Sequence, residues 1–143
     1  MKDGFPKIGN LAGIGFLAAA VLMTTPATSQ AQQDEVLAEG RMEYEENCMA
    51  CHGEAGKGDG RMAEILIVQP SDVTQISKKS GGVFPFWRIY RVIELAEPVR
   101  GHLFFPMPVW RNRFGEDERK PGYPAAYLRI LVLTHYLESI QEE

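Results

Sequence analysis

Cys48-Met49-Ala50-Cys51-His52 commits both cysteines of the 143-residue chain to one five-residue run. No cysteine is left for a structural bridge, so the fold has to be built around this run. Two thiols three residues apart, followed at once by an imidazole, form the attachment spacing of a c-type haem. Each thiol makes a thioether to one vinyl group of a porphyrin edge, and the histidine reaches the iron from one face. Zinc would need further Cys or His ligands at paired spacing, whereas His102 and His135 stand far apart and singly. A thioredoxin-like pair would need a βαβ setting, and the pattern here has none. With one such run, one covalently attached haem is the ceiling.

The amino terminus gives the compartment. Lys2 and Lys7 precede an apolar segment from Ile8 to Met23, which Thr24, Thr25 and Pro26 end, and Ser29-Gln30-Ala31 follows with small residues at −3 and −1. This is the layout of a secretory signal peptide, and the segment is shorter than the ~20 apolar residues that span a bilayer. The expectation is a cleaved signal peptide over 1–31, a single domain with one haem over 32–143, a periplasmic location and no membrane span after cleavage. An uncleaved anchor is the alternative. Export suits the chemistry, because a free C-x-x-C in an oxidising compartment tends towards a disulfide unless thioether formation consumes both thiols. A domain this small buries limited apolar area, so a central haem would supply much of its core.

Apolar periodicity predicts helices. Leu37, Gly40, Tyr44 and Cys48 share one face, with Asp34 and Glu35 in the first turn and Glu39, Glu43, Glu45 and Glu46 on the opposite face. Gly40 costs about 1 kcal/mol relative to alanine in mid-helix, which implies close approach of another helix backbone. The partner is a helix from about Ala125 to Gln141, with Ala126, Ile130, Leu133, Leu137 and Ile140 as its stripe and Leu128, Val132 and Tyr136 as a second row. Crossing at Gly40 against Leu133–Tyr136 would set Tyr44 beside Tyr136. A third helix is expected from Pro85 to Ala96, Pro85 suiting a first turn and Phe86, Ile89, Tyr90 and Ile93 facing inwards. Ile65 to Val68 is the one β-like run, and a buried extended loop explains it equally well. The stretch from Arg111 to Gly122 reads as a charged, solvated loop, with a docking element as the alternative. The fold class is all-α with long loops.

In their order along the chain, Gly40-x-x-x-Tyr44-x-x-x-Cys48-x-x-Cys51-His52-Gly53, a proline at Pro70, Pro106-Met107-Pro108 and a final helix with Tyr136-Leu137 resemble the class I c-type cytochromes. The resemblance implies a cytochrome c-like fold with crossing N- and C-terminal helices. It implies thioethers at Cys48 and Cys51, His52 as proximal ligand and Met107 as distal ligand. It also implies that the Pro70 carbonyl accepts a hydrogen bond from the second ring nitrogen of His52. The residues themselves bear on the distal position. Met42 and Met49 lie too near the covalent anchor to reach the far face, and Met62 reads as packing. Met107 lies between two prolines that restrict the backbone, with Phe104, Phe105, Val109 and Trp110 nearby to keep water out. Met107 filling core space and His102 as the ligand are the alternatives. His/His ligation would give a lower potential than His/Met. His135 is expected to be structural or exposed.

Such a protein would be a periplasmic one-electron carrier rather than an enzyme, working with redox partner proteins. A haem-bearing subunit of a larger dehydrogenase or oxidase stands as an alternative, as does an open-site haem enzyme or ligand-binding protein if Met107 is not a ligand. The 15 basic and 19 acidic residues leave a net charge of −4, and no nucleic-acid partner is expected. Acid and base are segregated. Residues 34–54 carry seven carboxylates against Arg41 alone, whereas Lys78, Lys79, Arg88, Arg91, Arg100, Arg111 and Arg113 oppose only Glu94 and Glu97. The basic block is expected either to form a haem-edge rim that steers an acidic partner or, through Arg88, Arg91 and Arg111, to neutralise haem propionates.

Overall fold

The long N-terminal helix and the C-terminal helix carry most of the packing, and the contact between them follows from one missing side chain. The computed structural model describes residues 27–95, 107–117 and 124–142, and these are helical, with no strand among them. Helix α1 (Ala27–Asn47) packs along the last helix, Ala126–Ser139. At Gly40 the backbones meet: a Cβ there would lie 2.1 Å from the Val132 carbonyl oxygen and 2.8 Å from Tyr136 Cβ. One turn further on, Tyr44 and Tyr136 pack with ring centroids 5.4 Å apart. α1 begins at Ala27 and runs through the expected cleavage residues Ser29–Ala31; the apolar segment before them lies outside the described residues. Among the described residues no helix is long and apolar enough to cross a membrane.

Among the described residues α1 is followed by α2 (Met49–His52), α3 (Ile76–Lys79), α4 (Phe86–Leu95), α5 (Trp110–Asp117) and α6 (Ala126–Ser139). Short 3₁₀ turns cover Ala63–Ile65 and Val73–Gln75. The first turn of α4 closes on the Pro85 carbonyl, which accepts from Ile89 N at 3.0 Å; proline has no amide hydrogen to lose there. In α6, Ala126, Ile130, Leu133 and Leu137 are buried as their spacing predicts, and the Thr134 hydroxyl satisfies itself on the Ile130 carbonyl at 2.7 Å. The expected second row is only partly inside, since Leu128 is exposed.

Four expectations are corrected. Asp34 and Glu35 do not occupy the first turn of α1, which begins about two turns earlier at Ala27 and has no acidic residue there. The charged stretch after Met107 is not a loop at its start: Trp110 and Phe114, four residues apart, give α5 a buried face against α4 and α6. Residues 118–123 lie outside the described residues. Ile65–Val68 is neither a strand nor a buried loop, for Ile67 is 84% exposed and Ile65 ends a 3₁₀ turn. Glu43 does not belong to a solvent face. Its carboxylate receives Arg129 Nε at 2.6 Å and Nη2 at 2.8 Å, and the same guanidinium lies 3.9 Å from the centre of the Phe114 ring. Arg129 is only 5% exposed, and such a planar fork suits a buried bidentate pair. It ties α1, α5 and α6 together.

Gly40→Ala should destabilise the fold although alanine is the better helix former by about 1 kcal/mol. The added methyl meets a backbone carbonyl that cannot rotate away, and overpacking of that kind costs about 1–3 kcal/mol or more. A lowered guanidinium midpoint is the expected result; an unchanged or raised one would contradict this account of the helix contact.

Candidate cofactor site

The cysteine run continues the register of α1. Cys48 N bonds to the Tyr44 carbonyl at 2.8 Å, and His52 N bonds to the Cys48 carbonyl at 2.9 Å. Tyr44, Cys48 and His52 thus stand at successive i, i+4 positions, which lie on one side of a helix. All three line the same cavity. Cys51 follows in the same turn, its amide 3.1 Å from the Cys48 carbonyl. Burial first of all, then Glu43 and Cys51, push the Cys48 thiol up to about 12. The turn ends at Gly53 (φ +83°), where a Cβ would lie 1.9 Å from Asp59 Oδ1. Tyr44 closes the exit by donating its hydroxyl to the Gly53 carbonyl at 2.6 Å, and burial keeps that hydroxyl protonated by raising its pKa.

The second ring nitrogen of His52 finds a carbonyl, but not that of Pro70. Nδ1 lies 3.0 Å from the Ser71 carbonyl oxygen. The Pro70 carbonyl is held against the loop backbone instead, where a Cβ on Gly58 would lie 2.1 Å from its oxygen. The Pro70 expectation is therefore corrected by one residue. A carbonyl cannot donate, so the proton of this bond belongs to Nδ1 and the lone pair to Nε2, the form in which histidine ligates a metal. Burial pushes the imidazole below its ordinary pKa, with the Ser71 bond acting the other way. The ring is consequently neutral near pH 7.

The cavity has a volume of about 330 Å³, within the range of pockets that enclose small molecules and cofactors. Its walls come from Val73 and Ile76, from Pro85, Ile89, Val92 and Ile93 around α4, and from Leu133 and Leu137 of α6. Met107 lines it too, partly buried and packed against the core. Lys79 and Arg88, both exposed, stand on the same lining. An imidazole, a thioether sulfur, the Cys48 thiol, apolar walls and two cations for carboxylates line the cavity, and with Cys51 in the adjoining turn they fit a covalently attached haem. Among the described residues no cluster of three or more His, Cys, Asp or Glu could hold a bare metal ion.

Other candidates lie elsewhere. Met62 is exposed rather than packed. Trp110 is buried against Phe114, ring centroids 5.3 Å apart, and not on the cavity wall, while Val109 faces solvent. His135 packs against the Phe86 ring at 4.6 Å. Arg111 lies 3.8 Å from Glu94, and Arg113 lies over Trp110. Of the three arginines considered for propionates, Arg88 alone lines the cavity. Arg100, His102, Phe104, Phe105 and Pro106 fall outside the described residues. Lys79 belongs to the basic block expected at a haem edge, whereas Ser71 and the Glu43–Arg129 pair have no counterpart among the expectations from sequence. Ser71 had a signal in Asp72-x-Thr74, an Asx turn in which Asp72 Oδ1 accepts from Thr74 N at 2.9 Å and so shapes the segment.

Compared with known protein families, the chain matches the Cytochrome c family model over residues 37–119, a span that includes the cysteine run and Met107. No curated protein and no solved structure matches it.

Gly58 and Gly81 both have φ +80°, but a Cβ at Gly81 meets nothing within 4 Å. Alanine at either should lose the roughly 1–2 kcal/mol of a left-handed backbone. Gly58→Ala should cost measurably more, because it collides with the Pro70 carbonyl beside Ser71. Thermal unfolding of the two variants tests this; equal losses would mean that the Gly58–Pro70 contact contributes nothing.

Proposed function

This chain belongs to the cytochrome c family, and on that premise we propose that it is an exported one-electron carrier with His52 and Met107 as axial ligands. The family carries covalently bound haem c with iron and serves haem-based electron transfer. What supports the finer reading is that His52, Cys48 and Met107 line one cavity although 59 and 55 residues separate Met107 from Cys48 and His52 respectively. Haem, when bound, supplies reversible one-electron exchange at its iron. Cys48 and Cys51 anchor it covalently. His52, its Nδ1 proton held by Ser71, offers Nε2, and Met107 offers a soft sulfur that favours a higher potential than a second histidine. Val73, Ile76, Ile89, Val92, Leu133 and Leu137 exclude water, and Lys79 and Arg88 offset propionate charge. With both His52 and Met107 holding the iron, no coordination place would be left for a substrate, which would separate a carrier from an open-site enzyme. Export would leave a chain beginning at Gln32.

The surface beside the cavity suits transient docking. Trp87 is 68% and Val83 72% exposed, and Lys78, Lys79 and Arg88 are exposed close to them in sequence. An acidic redox partner is the class this surface fits.

Spectroscopy tests the ligands. The purified exported protein should carry one haem by mass and show the weak far-red ferric band of iron–methionine sulfur ligation. Met107→Ala should abolish the band, lower the potential and let the reduced protein take up carbon monoxide, while His102→Ala changes none of these. Rapid carbon monoxide binding by the wild type would replace the carrier reading with an open-site one. For the rim, Arg88→Glu should slow oxidation by an anionic inorganic oxidant, and added salt should slow the wild type. A rate indifferent to both would remove the steering role.

A further inference from the structure

The segment that meets His52 is held by the last residues of the chain. Gln141, just beyond α6, donates from Nε2 to the Val73 carbonyl at 2.8 Å and to the Leu137 carbonyl at 2.6 Å, and its Oε1 accepts from Ser77 N at 2.9 Å. The next amide, Glu142 N, donates to the Thr74 carbonyl at 2.9 Å. The Glu142 carboxylate accepts from Gln75 Nε2 at 2.8 Å and from Lys57 Nζ. Lys57 also donates to Thr74 Oγ1 at 2.8 Å, and Val73 N bonds back to the Gly56 carbonyl at 2.8 Å. Val73 to Ser77 is thereby tied on one side to the loop leaving the cysteine run and on the other to the end of α6. Two residues before it stands the Ser71 carbonyl that receives His52 Nδ1–H.

We infer that Gln141 and Glu142 are positioning residues for the proximal histidine: they clamp the Val73–Ser77 segment so that the Ser71 carbonyl stays in hydrogen-bond reach of His52. The inference rests on His52 being the haem ligand. The physical effect follows from the role of groups behind a ligand. A carbonyl accepting from the remote ring nitrogen fixes the ring and raises its basicity, which favours the more positive iron. Slackening the clamp lengthens that bond, makes the imidazole a poorer donor and raises the potential. Hydrogen bonds linking a chain end to a loop are individually modest, but four from Gln141 and Glu142 converge on the five residues Val73–Ser77. Glu142 contributes through its amide as well as its carboxylate, so Gln141 is the more informative side chain to remove.

The test uses the full-length haem-loaded protein with two measurements, the midpoint potential and the solvent exchange rate of the His52 Nδ1–H in the reduced, ¹⁵N-labelled state. Gln141→Ala should raise the potential, by up to the about 59 mV of a tenfold shift in a one-electron equilibrium, and speed the exchange about tenfold. Glu142→Ala, a milder surface change that keeps the amide, should move both in the same direction by less, and serves if Gln141→Ala folds poorly. Thr134→Val, which breaks a buried bond within α6 without touching the segment, controls for instability. It should lower the melting temperature and leave both readouts at wild-type values. Unchanged potential and exchange in the Gln141 and Glu142 variants overturn the inference while the haem ligation stands, and so does an equal shift in Thr134→Val. A wild type without haem overturns the underlying reading and this inference with it.

Discussion

The approach of α1 to α6 at Gly40 is the contact on which the remainder of the structure depends. With a hydrogen in place of a side chain, the two backbones come close enough for Tyr44 to reach Tyr136 and for the α1 register to deliver Cys48 and His52 beside Leu133 and Leu137. The cavity exists where these two helices and α4 face one another. The Glu43–Arg129 pair lies in the same interface, less than one turn from Tyr44, and its guanidinium also covers Phe114. A buried ion pair of this kind is weak testimony for stability, since desolvation offsets much of the attraction. Its geometry nonetheless admits one rotational setting of the two helices, because the fork bonds both carboxylate oxygens.

The site combines covalent and non-covalent control of one imidazole. Along the chain, a helical turn from Cys48 sets where His52 begins; across the chain, the Ser71 carbonyl sets how its ring lies. The two act at different ranges, one through four residues of local helix and the other through a segment tied to both the Gly56–Lys57 loop and the chain end. Met107 arrives from a third place. The apolar enclosure around these groups keeps the imidazole neutral, since burial disfavours its charged form, and would keep water from a haem bound there.

Much of this was legible beforehand. The helical spacing of Gly40, Tyr44 and Cys48, the α6 stripe and the helix after Pro85 all follow from period and from the known preferences of glycine and proline. Where the reading erred, competing physics is identifiable. Trp110 and Phe114 were hidden among Arg111, Arg113, Glu116 and Asp117, so charge content outweighed an i, i+4 aromatic pair. Glu43 looked solvent-facing because three further glutamates near it are, and its partner lies 86 residues away. Ile65 and Ile67 are apolar by composition, yet Ile65 ends a 3₁₀ turn and both lie exposed.

Local chemistry alone determined the Cys48–His52 run, the helical class and the glycine at which two helices meet, because each is decided within a few residues by bonding geometry or steric bulk. Only the tertiary structure decided which carbonyl meets His52, which cations border the cavity and that the C-terminal residues brace the segment between. Those are distances between parts remote in sequence, and a residue's type constrains what it can bond to without saying what the folded chain will bring within reach.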